Sequence, residues 1–195
     1  MSLRSWLRST VPSDPSLLFR RYFVNTLFDA NFVVLGILAA EAFGSDRDAV
    51  RALSTMFAAC AAIGISTGVS VFEAEHVEES IRRGHLERAM MRRLDESETA
   101  TKDRMERYLA ATVNATAPFL VLGVTSAPLV LYVYGLTGPF ELAALMSIAL
   151  ALALIAVAGY LLGRLAGLSP WTKAARMAVV AVAAFLAIYS IEEAF

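Results

Sequence analysis

Residues 25–40 read NTLFDANFVVLGILAA, an apolar run interrupted by one carboxylate, Asp29. At about 1.5 Å of rise per residue, a helix of roughly 20 such residues crosses about 30 Å of hydrocarbon. Four more blocks of this character follow, so that the set covers about 22–43, 52–72, 108–134, 140–163 and 174–191. Of the 195 residues, 57% are hydrophobic, and mean hydropathy is +0.59. A soluble domain disperses its apolar residues with helix or strand periodicity, whereas here they come in membrane-length blocks. The expected fold class is an all-α integral membrane protein with five transmembrane helices. A short charged cytoplasmic helical insertion is expected between the second and third.

The chain divides accordingly. Residues 1–21 form an N-terminal segment, in which SLRSWLR around Trp6 suits an interfacial helix. Residues 22–72 hold the first two spans, 73–107 the insertion, and 108–195 the last three spans. The insertion continues the second span as a helix, with breaks expected at Gly84 and near DESETAT (95–101). No continuous apolar core marks a cleavable signal peptide near the start. A single cysteine, Cys60 inside a span, excludes disulfides and cysteine-based metal sites. No basic face with interleaved aromatics suggests nucleic acid. Enzyme signatures are missing too: there is no nucleophile elbow, P-loop or HExxH, and the only histidines are His76 and His85.

Short-loop arginines and lysines set orientation. Arg4, Arg8, Arg20 and Arg21 precede the first span, and Arg164, Lys173 and Arg176 follow the fourth with no acid among them. The other side mixes Arg47 and Arg51 with Glu41, Asp46 and Asp48, then adds Glu141, Glu192 and Glu193. This places the N-terminus and the insertion in the cytoplasm and the C-terminus outside. Trp171, at the edge of the fifth span, suits the headgroup zone. Short loops and no cleavable signal fit a prokaryotic plasma membrane.

A carboxylate facing lipid costs at least about 2.5–3.5 kcal/mol, so Asp29 is expected to face a bundle interior or a watery path. Asn25, Asp29, Phe32 and Gly36 fall on one helical stripe. Together they offer an amide, a carboxylate and a close-approach glycine, a donor set that suits a divalent cation or a proton. In the second span, Gly64 and Gly68 make a GxxxG spacing for close helix packing, and Ser66, Thr67 and Ser70 add hydroxyls. The third span carries Asn114, a candidate path residue or an interhelical hydrogen bond, with Pro118 and Pro128, each of which frees a backbone carbonyl.

In the insertion, Glu75, Glu78 and Glu79 share one face, while Glu73 and His76 lie on an adjacent one. These residues are candidate transition-metal ligands. Residues 73–107 also hold ten acids against eight bases, and Glu78 and Glu79 are spaced to pair with Arg82 and Arg83. A solvated, salt-bridged helix explains the same pattern. Met90 and Met91 are softer candidate ligands that more often pack helices together.

FDANFVVLGILAA (28–40), GISTGVSVF (64–72) with a charged helical insertion behind it, and GLSPWTKAARMAVVAVAAFLAIYSI (167–191) together resemble the vacuolar iron transporter family, in its short prokaryotic branch. The resemblance covers roughly residues 20–192. It implies a homodimer whose first spans line a path between subunits, exporting Fe2+ or Mn2+ from the cytoplasm in exchange for protons, with no resident cofactor. Asp29 matches the intramembrane aspartate of that route, and Glu73, Glu75, Glu78 and Glu79 match its metal-capturing glutamates loosely. The chain departs from the family at Val71, where the second-span glutamate belongs, at Ser70 in place of a glycine, and at Ala30 in place of the glycine after the aspartate. The expected path residues are Asp29, Gly36, Ser66, Thr67 and Asn114. Two other readings remain: a non-transporting membrane protein that docks a partner through its charged cytoplasmic helix, and a passive ion channel.

Overall fold

A computed structural model of the chain describes residues 22–44, 47–91 and 98–194. The expected interfacial segment around Trp6 lies outside these residues. Six helices appear: α1 (Val24–Phe43), α2 (Ala49–Met90), α3 (Glu98–Thr125), α4 (Ala127–Val133), α5 (Phe140–Leu165) and α6 (Pro170–Ala194). No strand occurs among the described residues. Five of the helices are long and apolar enough to cross a membrane: α1, α2, the Arg104–Thr125 part of α3, α5, and the Pro170–Ser190 part of α6. The all-α class expected from the sequence is thus present among the described residues, with five helices of the length and apolarity that spans require.

Two antiparallel hairpins, α2–α3 and α5–α6, flank α1, which touches all four of their helices. The register is legible in single contacts. Thr67 meets Asn114 while Glu79 meets Arg107, so α3 descends as α2 climbs. Tyr22 bonds Glu75 and Arg51 bonds Glu41, making α1 antiparallel to α2. Phe43 packs on Phe185 and Tyr189, which makes α1 parallel to α6. Half of the apolar window of α1 is buried, against 11% for α6, so α1 is the central helix and α6 is peripheral. Leu35, Leu38, Met56, Val121, Leu129 and Ile155 form the middle of the core.

Local chemistry explains the element ends. The Asp48 carboxylate accepts from the Val50 and Arg51 amides and caps α2. Gly135 (φ +71°) and Gly167 (φ +66°) stand just past the ends of α4 and α5. At each, the next amide reaches back to the carbonyl of the last turn: Leu136 to Leu131 at 2.9 Å and Leu168 to Gly163 at 3.0 Å. That is a Schellman closure, which a left-handed glycine permits at no steric cost. Pro170 opens α6, where a missing amide proton costs nothing.

Two expectations need correction. The block 108–134 is not one span: the helix bends at Ser126, and α4 resumes with Pro128 in its first turn. The Pro128 ring forbids an amide bond back to the Val124 carbonyl, so the break precedes it. Pro118, by contrast, sits inside α3 without ending it. The second correction concerns Gly84, where α2 continues unbroken to Met90. A glycine in a helix costs only about 1 kcal/mol against alanine, which the surrounding Glu, Arg and Leu offset. At its 42 residues, α2 is about 63 Å long, twice the hydrocarbon thickness, so α2 with the start of α3 extends well past the membrane-length core. The expected break near DESETAT falls partly outside the described residues, between Met91 and Glu98.

Candidate functional site

The open stripe of α1 is the first part of the site. On that helix Val24, Thr26, Leu27, Ala30, Asn31, Val34, Leu35 and Leu38 are buried; Asn25, Asp29 and Val33 are exposed, flanked by half-buried Phe32 and Gly36, and Phe43 is exposed at the far end. Asn25 Nδ2 lies 3.5 Å from Asp29 Oδ2, a long contact that leaves the carboxylate oxygens largely free. A Cβ built on Gly36 would meet nothing within 4 Å. The stripe is therefore an open strip on the surface of the chain, polar at one end and relieved by a glycine two turns on. It is the face the sequence marks.

One turn nearer the start of α1, the Thr26 hydroxyl donates to Asn114 Oδ1, and Asn114 Nδ2 donates to the Thr67 carbonyl at 3.2 Å. Asn114 thus ties α1, α2 and α3 together and is 2% exposed. Pro118 has no amide proton to donate to the Asn114 backbone carbonyl, which therefore lacks its usual helical partner. On the far side of α1, Asn31 Nδ2 donates to the Ala151 carbonyl at 3.0 Å. Asn31 Oδ1 and the Ser147 hydroxyl are buried with no hydrogen-bond partner among the described residues.

The second-span residues go elsewhere. A Cβ on Gly64 would stand 2.8 Å from the Ala115 carbonyl oxygen, and one on Gly68 3.0 Å from Ala115 Cβ. Both glycines therefore serve contact with α3 and do not carry hydroxyls toward Asp29. Thr67 returns its hydroxyl to the Ile63 carbonyl at 2.7 Å, while Ser66 and Ser70 are exposed. No hydrogen bond among the described residues joins Ser66, Thr67 or Asn114 to Asp29. The five expected path residues are thus split: Asp29 and Gly36 share a surface, Thr67 and Asn114 share a buried bridge, and Ser66 stands apart.

Near the start of the membrane-length part of α3, Arg107 ties that helix to α2. Its guanidinium donates to Glu79 Oε2 at 3.1 Å and to His76 Nδ1, and it stacks 4.7 Å from the Phe72 ring centroid. Glu79 also pairs with Arg83 at 2.9 Å, as the sequence spacing suggested. Glu79 and Arg107 are each only 9% exposed. Glu75 accepts from Tyr22; Glu73, His76 and Glu78 are exposed. Among the described residues no group of three or more His, Cys, Asp or Glu is placed to hold a metal ion. Of the five candidate ligands in the insertion, two are held by Arg107 and a third by a tyrosine.

Sequence reasoning did not single out Tyr22, Thr26, Asn31 or Arg107. Asn31 had a readable signal, since an amide in a span needs a partner as much as a carboxylate does. Arg107 had none, because its partners lie 28 and 31 residues away and depend on the hairpin register. Comparison with protein-family models, curated proteins and solved structures gave no match.

Proposed function

We propose that the chain is a divalent transition-metal transporter, moving Fe2+ or Mn2+ from the cytoplasm in exchange for protons. In this reading it works as a homodimer in a prokaryotic plasma membrane, with the N-terminus inside and the C-terminus outside. The observation that carries it is the position of Asp29, exposed on the one open stripe of a central apolar helix. A carboxylate left against lipid there is strongly disfavoured, so a water path or a second protomer is needed to cover it. Asn25 and the space over Gly36 suit a cation passing along that stripe, and the sequence resemblance of 28–40 adds the substrate class. Two Asp29 carboxylates meeting across a two-fold axis would offer one dication oxygen ligands from both copies, with protons taking its place after release.

The test is uptake into proteoliposomes with an imposed pH gradient, comparing Fe2+, Mn2+ and Mg2+ for the wild type and Asp29→Asn. Proton-coupled uptake of a transition metal, lost in the folded variant, is expected. Equal flux through both proteins would sink the assignment of Asp29, and no flux at all would sink transport.

A second reading draws on the extension. Val77 and Ile81 are more than half exposed and Met91 is 96% exposed, on a helix pair held rigid by Arg107. That surface fits a partner-docking protein. Its sign would be a specific interaction that disappears when residues 73–107 are replaced while metal flux stays at background.

A further inference from the structure

We infer that the turn between α5 and α6 is a binding site for the headgroup of an anionic phospholipid. Between Glu141 and Glu192 the chain has no acid, and its only charges are Arg164, Lys173 and Arg176. All three gather at one end of the bundle. Arg164 stands in the last turn of α5, and Lys173 and Arg176 in the first two turns of α6. None of them forms an ion pair among the described residues. The first turn of α6 has no acid either, so its cations add to the positive end of the helix dipole where charge balance would call for a carboxylate. The result is a concentration of positive charge with no ion-paired carboxylate among the described residues.

Positive charge alone serves to orient a span and needs no fixed geometry. Here the geometry is fixed. Gly163 lets the two helices close so tightly that a Cβ there would stand 2.8 Å from Pro170 Cα and 3.1 Å from Lys173 Cβ. Lys173 Cβ and Cγ are thereby laid against α5 at Gly163, the residue next to Arg164. Beside it, Trp171 packs edge-on against Tyr160 with ring centroids 5.1 Å apart, yet remains 76% exposed. Such an aromatic pair belongs at headgroup depth, with apolar Leu161 and Leu165 exposed on the α5 side. A phosphate met by basic groups at the turn between two membrane-length helices, with acyl chains against leucine and tryptophan, matches each of these features. A soluble anion would use the cations but not the aromatic and apolar flank.

Trp171 supplies the readout, because Trp6 is the only other tryptophan. In a Trp6→Phe background, the full chain is placed in nanodiscs of phosphatidylcholine in which either brominated phosphatidylglycerol or brominated phosphatidylcholine makes up the same minor fraction. Both faces of a nanodisc are accessible, so insertion direction does not matter. At roughly a fivefold affinity gain per headgroup-facing cation, the glycerol lipid is expected to quench Trp171 several-fold more strongly at equal fraction. The preference should vanish in the triple variant Arg164→Gln, Lys173→Gln, Arg176→Gln and persist when Arg164 and Arg176 become lysine. Helix content and elution volume check that each variant is folded. Equal quenching by the two lipids overturns the site, as does a preference that survives the triple glutamine variant. Loss of the preference on adding millimolar inorganic phosphate at constant ionic strength would reassign it to soluble anions.

Discussion

Asp29 and Asn31 stand two residues apart and meet opposite fates: the carboxylate is exposed on the surface of the chain, and the amide is fully buried against Ala151. An α1 that is apolar nearly all round offers no moment from which to read which polar residue turns inward. Sequence therefore marked the charge and passed over the amide. The same limit applies to Arg107, whose role emerges only when α2 and α3 pair. Because Glu79 and Arg107 are both nearly buried, Arg107→Gln is expected to destabilise the protein by about 1–3 kcal/mol, leaving Glu79 with Arg83 as its one remaining cation. Replacing both by apolar residues of similar size should cost much less than the sum of the single changes. Unfolding in detergent micelles, run as a double-mutant cycle, measures this; additive losses would show that the pair is not coupled. Within the spans, Asn114→Leu removes two bonds that join three helices and should cost about 1–2 kcal/mol. Ser66→Leu, on an exposed position, should cost close to nothing in the same assay.

At the scale of elements, glycines of equal appearance in the sequence behave differently, and neighbours decide which is which. Gly64 faces the Ala115 carbonyl at a distance no Cβ tolerates, whereas Gly84 has nothing within 4 Å and helical backbone around it. Gly84→Ala is therefore expected to stabilise the extension by about 1 kcal/mol, through helix propensity alone. Gly64→Ala is expected to lower thermal stability, because α2 and α3 must separate to admit the methyl group. Melting temperatures of the two variants in one detergent, moving in opposite directions, would bear this out; the same sign for both would show that the α2–α3 contact is looser than its geometry. The five apolar blocks and the GxxxG spacing were legible because length and composition suffice for them. The continuity of α2 through Gly84 and the bend at Ser126 were not, since each depends on how local backbone preferences balance against the packing of a whole hairpin.

For the whole molecule, the open question is what covers α1. Two hairpins enclose it on every side except the stripe that carries Asn25, Asp29 and Val33. If a second copy lies there, symmetry requires the stripe to meet itself, since a two-fold interface pairs each patch with the same patch. Residues near the axis then approach their own copies within the roughly 4.4–6.8 Å between Cα atoms that a disulfide spans. In a Cys60→Ala background, Val33→Cys is expected to form a cross-linked dimer on mild oxidation in lipid-rich proteoliposomes. Val179→Cys on peripheral α6 is the decisive control. Its position is 69% exposed against 41% for Val33, so random collision would link it faster. Faster linking of Val33 therefore requires a specific contact. Preference for Val179, or equal slow linking of both, would mean that the stripe faces water within a single protomer, and Asp29 would then act alone and not as one of a pair.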